Sequence, residues 1–406
     1  MRAQSMKVAA AGMMVLALAF PGRAQEAVQI PGPNLRATLR AFGDAAGSVA
    51  LGDALAFGPA LELATAPLGS VTGGFSVSFD PSTGGFTRTA ETFGPAFPQR
   101  ALTTGRHKAS FGLTWQHYTF DEIGGAKLDD FAAFTSSGFL NLVPVESRLG
   151  FDLKSSTVSL FATVGVTDRI DIGVVVPIVS TRLEGRVTQK FLFGPDARDS
   201  AEQSATSIAD IALQGKVQLW RSRATAGGTG APRTALAAVV GVRLPTGDEE
   251  NLHGLGFART KVSAVFSQFA PRFAVHANVG YEFWSDQLRF AQDILESKFA
   301  TTNGAFEFAL GTEFAAHSRL TLNLDLLMQQ VRGAGALGVA PFEIPNLLVA
   351  NTIVGLDEGL RKVTLVPGFR WNIFGRTLLN THVLVSLKND GLRAKITPSV
   401  GLDFTF

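Results

Sequence analysis

The side chains that could do chemistry in this 406-residue chain are scattered, and their spacing builds no familiar catalytic motif. Six histidines stand at positions 107, 117, 253, 276, 317 and 382. There is no His-Glu-x-x-His metal helix, no Gly-x-Ser-x-Gly elbow, no phosphate loop and no dinucleotide fingerprint. The Gly-Gly-Thr-Gly run at 227–230 reads as a turn. A hydrolase on a membrane surface would need His and Ser together on the lipid side, and no such His-x-Ser pair is evident. The expectation is therefore a protein that is not an enzyme and carries no cofactor or metal. The charged residues share position instead. Arg106, Lys108, Lys216, His276, Glu282, Glu307, Glu313, Asp325, Arg370 and His382 all fall on the polar side of segments that alternate with period 2.

That alternation must come from strands. The last thirteen residues place Ala394, Ile396, Pro398, Val400, Leu402, Phe404 and Phe406 on one face. Lys395, Thr397, Ser399, Gly401, Asp403 and Thr405 lie on the other. Such a strand separates two different solvents. The same pattern predicts twelve strands, near 105–119, 152–166, 169–183, 206–220, 233–245, 258–269, 272–285, 304–315, 319–331, 361–373, 377–388 and 394–406. Short links at 167–169, 270–272, 317–319 and 374–376 alternate with long ones near 120–150, 184–205, 246–257, 287–303 and 332–360. Membrane barrels have short periplasmic turns and long external loops. The 221–232 link and Asn389-Asp390-Gly391 break the length rule but keep the parity. Burying the polar-face charges in a dry core would be costly, whereas a water-filled lumen leaves them solvated or paired. There they would form either a selectivity constriction or a rigid ion-pair network. The fold class is all-β: a transmembrane antiparallel up-and-down β-barrel of about 12 strands, with an irregular N-terminal segment.

Composition agrees. Hydrophobic residues make up 46% of the chain, yet no internal run reaches the roughly 18 uncharged apolar residues of a membrane helix. The absence of Cys removes disulfides and a lipid-anchored N-terminus. Residues 1–24 read as a signal peptide: basic Arg2 and Lys7, an apolar stretch from Val8 to Phe20, and cleavage after Ala24. Its removal takes the formal net charge from +2 to −1, so the basic balance says nothing about nucleic acid, and no such partner is expected. Residues 25–103 are predicted to be a periplasmic extension or a lumen plug, with short helices between Asn34 and Leu63. A hairpin around Asp80-Pro81-Ser82-Thr83 would raise the count to 14 strands if it joined the sheet. The barrel itself is assigned to 104–406. Expected partners are outer-membrane lipid and lipopolysaccharide, and the barrel-assembly machinery, for which Phe404 and Phe406 would be the assembly signal.

Two stretches resemble a known family. They are Val166-Thr167-Asp168-Arg169-Ile170-Asp171-Ile172-Gly173-Val174-Val175-Val176-Pro177, and Leu244-Pro245-Thr246-Gly247-Asp248 followed by Gly254-Leu255-Gly256. Both are similar to motifs of the outer-membrane barrel family named for the meta-cleavage pathway of phenol degradation. The family's usual lGtG is replaced here by Gly254-Leu255-Gly256-Phe257. The resemblance, over roughly residues 100–406, implies passive passage of small, often hydrophobic or aromatic, solutes. A looser likeness to fatty-acid and toluene channels implies a plugged lumen. The alternative is a non-conducting barrel serving envelope structure or surface attachment. Physically, Leu244-Pro245-Thr246-Gly247-Asp248 ends a strand and starts an acidic loop, and the turn reading outweighs a ligand site.

Overall fold

The computed structural model describes residues 28–406 except 31, 46–48, 70–76, 81–84, 89–91, 130, 138–142, 191–195, 223–232, 292–298, 334–335, 345–347, 357–358 and 389. The signal-peptide expectation lies outside the described residues. Twelve strands close into one antiparallel barrel: β1 (Ala109–Phe120), β2 (Val143–Thr167), β3 (Ile170–Lys190), β4 (Ala212–Arg221), β5 (Thr234–Arg243), β6 (Arg259–Phe269), β7 (Phe273–Ala291), β8 (Phe299–His317), β9 (Leu320–Gly333), β10 (Arg361–Phe374), β11 (Thr377–Ser386) and β12 (Ile396–Thr405). Closure is made by β12 on β1, with Leu402 opposite Leu113, and by β1 on β2. No open edge is left within the barrel, which lipid would not tolerate. The hairpin Val77–Asp80 with Gly85–Arg88 pairs only with itself, so the count is twelve and not 14.

The strands of one wall run longer than the alternation predicts, because the polarity of their faces inverts partway. On β3 the outward residues Ile172 and Ile178 are apolar and exposed, while inward Asp171 is buried. Past Ser180 the outward residues become Arg182, Glu184 and Arg186, and the inward ones become Leu183 and Val187, both fully buried. β2 switches at the same level, from outward Leu160 and Val164 to outward Lys154, and from inward Thr163 to inward Leu153 and Leu149. The change marks the end of the lipid belt: below it the apolar solvent is outside, and above it the apolar core is inside. The predicted fourth strand is also divided. Ala197–Ile208 extends the β3 side, the chain breaks at Ala209–Ile211, and β4 begins at Ala212.

The apolar interior above the belt exists because helices fill it. Helix α1 (Leu35–Ala45) starts at Asn34, whose Oδ1 accepts from the Ala37 N–H at 2.8 Å, an N-cap. Helix α2 (Val49–Ala64) follows. Leu35, Leu39, Phe42, Leu55 and Leu61 share one buried apolar cluster with Leu183, Val187, Leu252, Trp284 and Leu360 of the long-loop end. The predicted short helices are thus a two-helix unit in the long-loop mouth of the barrel. Burying each of these Leu and Phe side chains is worth about 1.5–3 kcal/mol, which gives the pair its anchorage.

Candidate functional site

The candidate site is the barrel interior. After the helices the chain descends, and residues 92–104 form a strap that crosses the inside of the wall near the short turns. Phe93, Ala96, Phe97, Arg100, Ala101 and Thr104 are all buried. The strap has no strand partner, so its backbone groups must be satisfied by wall side chains. The Phe93 N–H donates to Thr321 Oγ1 at 3.2 Å, and the Gly94 N–H donates to Glu313 Oε2 at 2.8 Å. The Ala96 and Phe97 N–H groups both donate to Asp325 Oδ2 at 3.0 Å. Ala101 donates to Ser267 Oγ at 2.9 Å, and Thr104 to Asp171 Oδ2 at 2.9 Å. In return, Arg370 donates to the Phe93 carbonyl at 2.9 Å, Asn323 to Gly94 at 2.9 Å, Asn278 to Gln99 at 3.0 Å and Lys216 to Leu102 at 2.8 Å. The strap thus passes from β10 and β9 across β8, β7 and β6 to β4 and β3.

The expected lumen residues occupy distinct positions in this frame. Lys216 also pairs with Asp171 at 3.2 Å, both fully buried. His276 joins Ser267 and Glu313 in one buried chain: Ser267 Oγ lies 2.7 Å from Nδ1, and Glu313 Oε1 contacts Nε2. This has the residue types of a hydrolytic triad, yet all three side chains are fully buried and the strap's Ala101 N–H donates to the serine oxygen. Glu282 lies against Arg259 at 3.5 Å and accepts from Trp284 Nε1 at 2.8 Å. Glu307 pairs with Lys261 at 2.9 Å. The His382 ring lies edge-on to Phe97, with centroids 6.3 Å apart, and directly over Gly368, where any Cβ would stand 2.1 Å from its Cδ2. Lys108 is half-buried at the rim. Arg106 is a correction: it lies exposed in the turn before β1, because the polar alternation starts only where pairing with β2 begins at Ala109. Phe404 and Phe406 face outward, exposed.

The loop motif is structural in its contacts. Thr246 Oγ1 accepts from Ile211 N–H at 2.9 Å, and Gly247 N–H donates to Asp210, which bends the chain inward. A Cβ on Gly247 would lie 2.1 Å from the His253 carbonyl, so this close approach requires glycine. Asp248 caps the short helix Glu249–Asn251. The acidic residues then hold α1: Glu250 accepts from Asn34 at 2.8 Å, Glu249 lies 4.0 Å from Arg36, and Asn251 Oδ1 accepts from Leu35 N–H at 3.1 Å. Burial lowers the Arg36 pKa against the pull of Glu249. His253 is buried between Ser207 and Thr181, and burial pushes its imidazole down to about 4.

A cavity of about 190 Å³ lies between the lower end of α2 and the strap. Leu68, Phe97, Val175 and Leu327 give it apolar surface, and the Arg259–Glu282 and Lys261–Glu307 pairs give it polar surface. Its roof is the C-terminus of α2, whose Ala64 carbonyl accepts from both Arg243 and Arg259 at 2.9 Å. Lys362 donates to Thr65 Oγ1 at 2.6 Å and pairs with Glu62. Cations at a helix C-terminus complement its dipole. Burial pushes the Glu62 carboxyl above its ordinary range, with Lys362 opposing. Sequence reasoning missed Asp171, Arg259, Lys261, Asn278, Asn323 and Asp403. All six stand on the inward parity that period 2 exposes, so the available signal was that parity itself.

Among solved structures, an outer membrane channel from Pseudomonas putida F1 is 13% identical, over 75% of this chain and 98% of that one, with a TM-score of 0.45. The toluene transporter TbuX of Ralstonia pickettii is 11% identical over 74% and 89%, TM-score 0.32. The translocator domain of the autotransporter NalP from Neisseria meningitidis is 10% identical over 74% and 89%, TM-score 0.36. No curated protein matches the chain. Residues 148–338 of this outer-membrane β-barrel match the family described as "Putative MetA-pathway of phenol degradation", whose resemblance the Val166–Pro177 and Leu244–Asp248 stretches carry.

Proposed function

We propose that the protein is a passive outer-membrane channel for small aromatic compounds, with the N-terminal segment, residues 25–103, acting as its plug. The observation that carries this reading is the chamber of about 190 Å³ between α2 and the strap. An apolar cavity of about 150 Å³ accepts benzene, so this chamber suits one substituted aromatic ring. Its lining is part apolar and part paired charge, which favours rings bearing a hydroxyl or carboxyl group over plain hydrocarbons. Passage then requires the strap to move, because the strap is the chamber's floor.

The chain has no cysteine, so a single engineered disulfide can test this. Ala101→Cys with Ser267→Cys joins strap to wall where Ala101 N–H already meets Ser267 Oγ. Reduced protein in liposomes is expected to admit benzoate and oxidised protein to exclude it. Equal uptake in both states would refute the plug. Absence of uptake in either state would favour the second reading, a non-conducting envelope barrel, which the dense hydrogen bonding of the strap supports.

A further inference from the structure

One sector of the wall is only partly engaged by the strap, through Arg370 on the Phe93 carbonyl and His382 against Phe97. In β1 and β10–β12, six buried polar atoms have no protein hydrogen-bond partner: Ser110 Oγ, Arg370 Nε, Asn380 Oδ1, His382 Nε2, Asp403 Oδ1 and Thr405 Oγ1. Each belongs to a side chain at least nine-tenths buried. Buried polar groups are satisfied in folded proteins, by protein or by ordered water. Here they are neighbours. Thr405 is opposite Ser110 in the β12–β1 pair, and Asn380 and His382 of β11 flank β12.

Four of these residues, Arg370, Asn380, His382 and Asp403, border the last of a chain of cavities. One of about 70 Å³ opens beside Lys388, Asp390 and Arg393 at the external rim. It shares Ala66, Pro67, Lys362 and Thr364 with the central chamber. The chamber in turn shares Gly69 and Phe97 with a neck of about 20 Å³ lined by Asn380, His382, Ser399 and Asp403. A water needs about 10–15 Å³ of such volume and two to four polar partners, and the neck offers both.

We propose that a water-filled lane runs beside the seated strap, from the 388–394 rim through the chamber to the short-turn rim between β11, β12 and β1. Its neck at His382, Asn380 and Asp403 passes water-sized species only. The lane deepens the channel reading and rests on it. It means that the plugged protein is a hydrated conduit, and that aromatic solutes are held at the chamber while water passes. His382 is the selectivity element: its ring closely approaches Gly368 and stands edge-on to Phe97.

The test uses single cysteines in the full chain and Ag⁺, which is close to water in size. Ser399→Cys lines the neck, and Ser110→Cys stands on the proposed course of the lane below it. Ser267→Cys and Thr321→Cys are equally buried in the wall but lie under the strap, bonded to Ala101 and Phe93. Thiol loss is read after unfolding, on protein whose gel mobility shows a folded barrel. The lane thiols are expected to react at least ten-fold faster. Equal rates in the two sets would overturn the lane. As a second measurement, wild-type proteoliposomes are expected to exceed protein-free vesicles in osmotic water permeability, and Ser399→Phe to abolish the excess. Wild-type vesicles no more permeable than the blank, or an excess unaltered by Ser399→Phe, would also overturn it. The disulfide experiment stays separate: redox-insensitive benzoate uptake removes the plugged-channel reading without touching the silver rates, and equal silver rates remove the lane without touching uptake.

Discussion

Asp325→Ala should unseat the strap more than any conservative change nearby. One carboxylate oxygen of Asp325 accepts two strap N–H groups, from Ala96 and Phe97, at 3.0 Å each. Alanine removes that shared acceptor and leaves two donors in a buried site. Each buried unsatisfied group costs about 1–3 kcal/mol, so the range is roughly 2–6 kcal/mol. Ala96 and Phe97 also line the 20 Å³ neck, where water can replace part of the loss, which places the expected value near the low end. About 2–3 kcal/mol corresponds to a roughly 30- to 150-fold shift toward the unseated strap. Asp325→Asn keeps a carbonyl oxygen in place and should shift it by less than about ten-fold. Hydrogen exchange of a peptide covering 92–104, followed by mass spectrometry, reads this shift as faster exchange. Unchanged protection in Asp325→Ala would show that Asp325 does not hold the strap. Equal acceleration in Asn and Ala would show that the negative charge, and not acceptor geometry, is what matters.

Two further outcomes follow from the helices and the loop. Arg259 is shared by Asp210 at 3.2 Å, Glu282 at 3.5 Å and the Ala64 carbonyl, so Arg259→Met leaves two buried carboxylates short of a partner. A cost of about 3–5 kcal/mol is expected, seen as a lower unfolding midpoint and as loss of exchange protection in 49–64, and unaltered protection there would contradict the docking role. His253 is held neutral by burial, with its pKa lowered to about 4 from the usual 6.5. A depressed base means that the unfolded loop binds a proton between pH 6.5 and 4 while the folded loop does not. The folded loop therefore loses stability as pH falls through that window, by up to about 3 kcal/mol, and loses nothing above it. Proteolysis of 246–258 should accelerate on acidification in wild type and stay flat in His253→Gln, and a flat wild-type profile would sink the assignment.

Much of this protein was determined by its sequence alone, because a strand between lipid and a polar lumen must alternate residue by residue. That single constraint carried the twelve strands, their antiparallel parity and which end holds the short turns, and it put Lys216, His276, Glu282, Glu307, Glu313, Asp325, Arg370 and His382 on the inner face. It could not say what those residues touch. Parity is silent about distance across the barrel, so the pairing of Lys216 with Asp171 and the Ser267–His276–Glu313 chain needed the closed sheet. Where the rule changed solvent it misled: the upper halves of β2 and β3 face water outward and helices inward, so their strands ran past the predicted ends. Arg106 was misplaced for a similar reason, since alternation has meaning only inside the paired sheet. The strap was the least legible element. Residues 92–104 have no period, because their backbone bonds are made to wall side chains far away in the chain, and only the tertiary structure brings Asp325, Glu313, Ser267 and Asp171 to one continuous track.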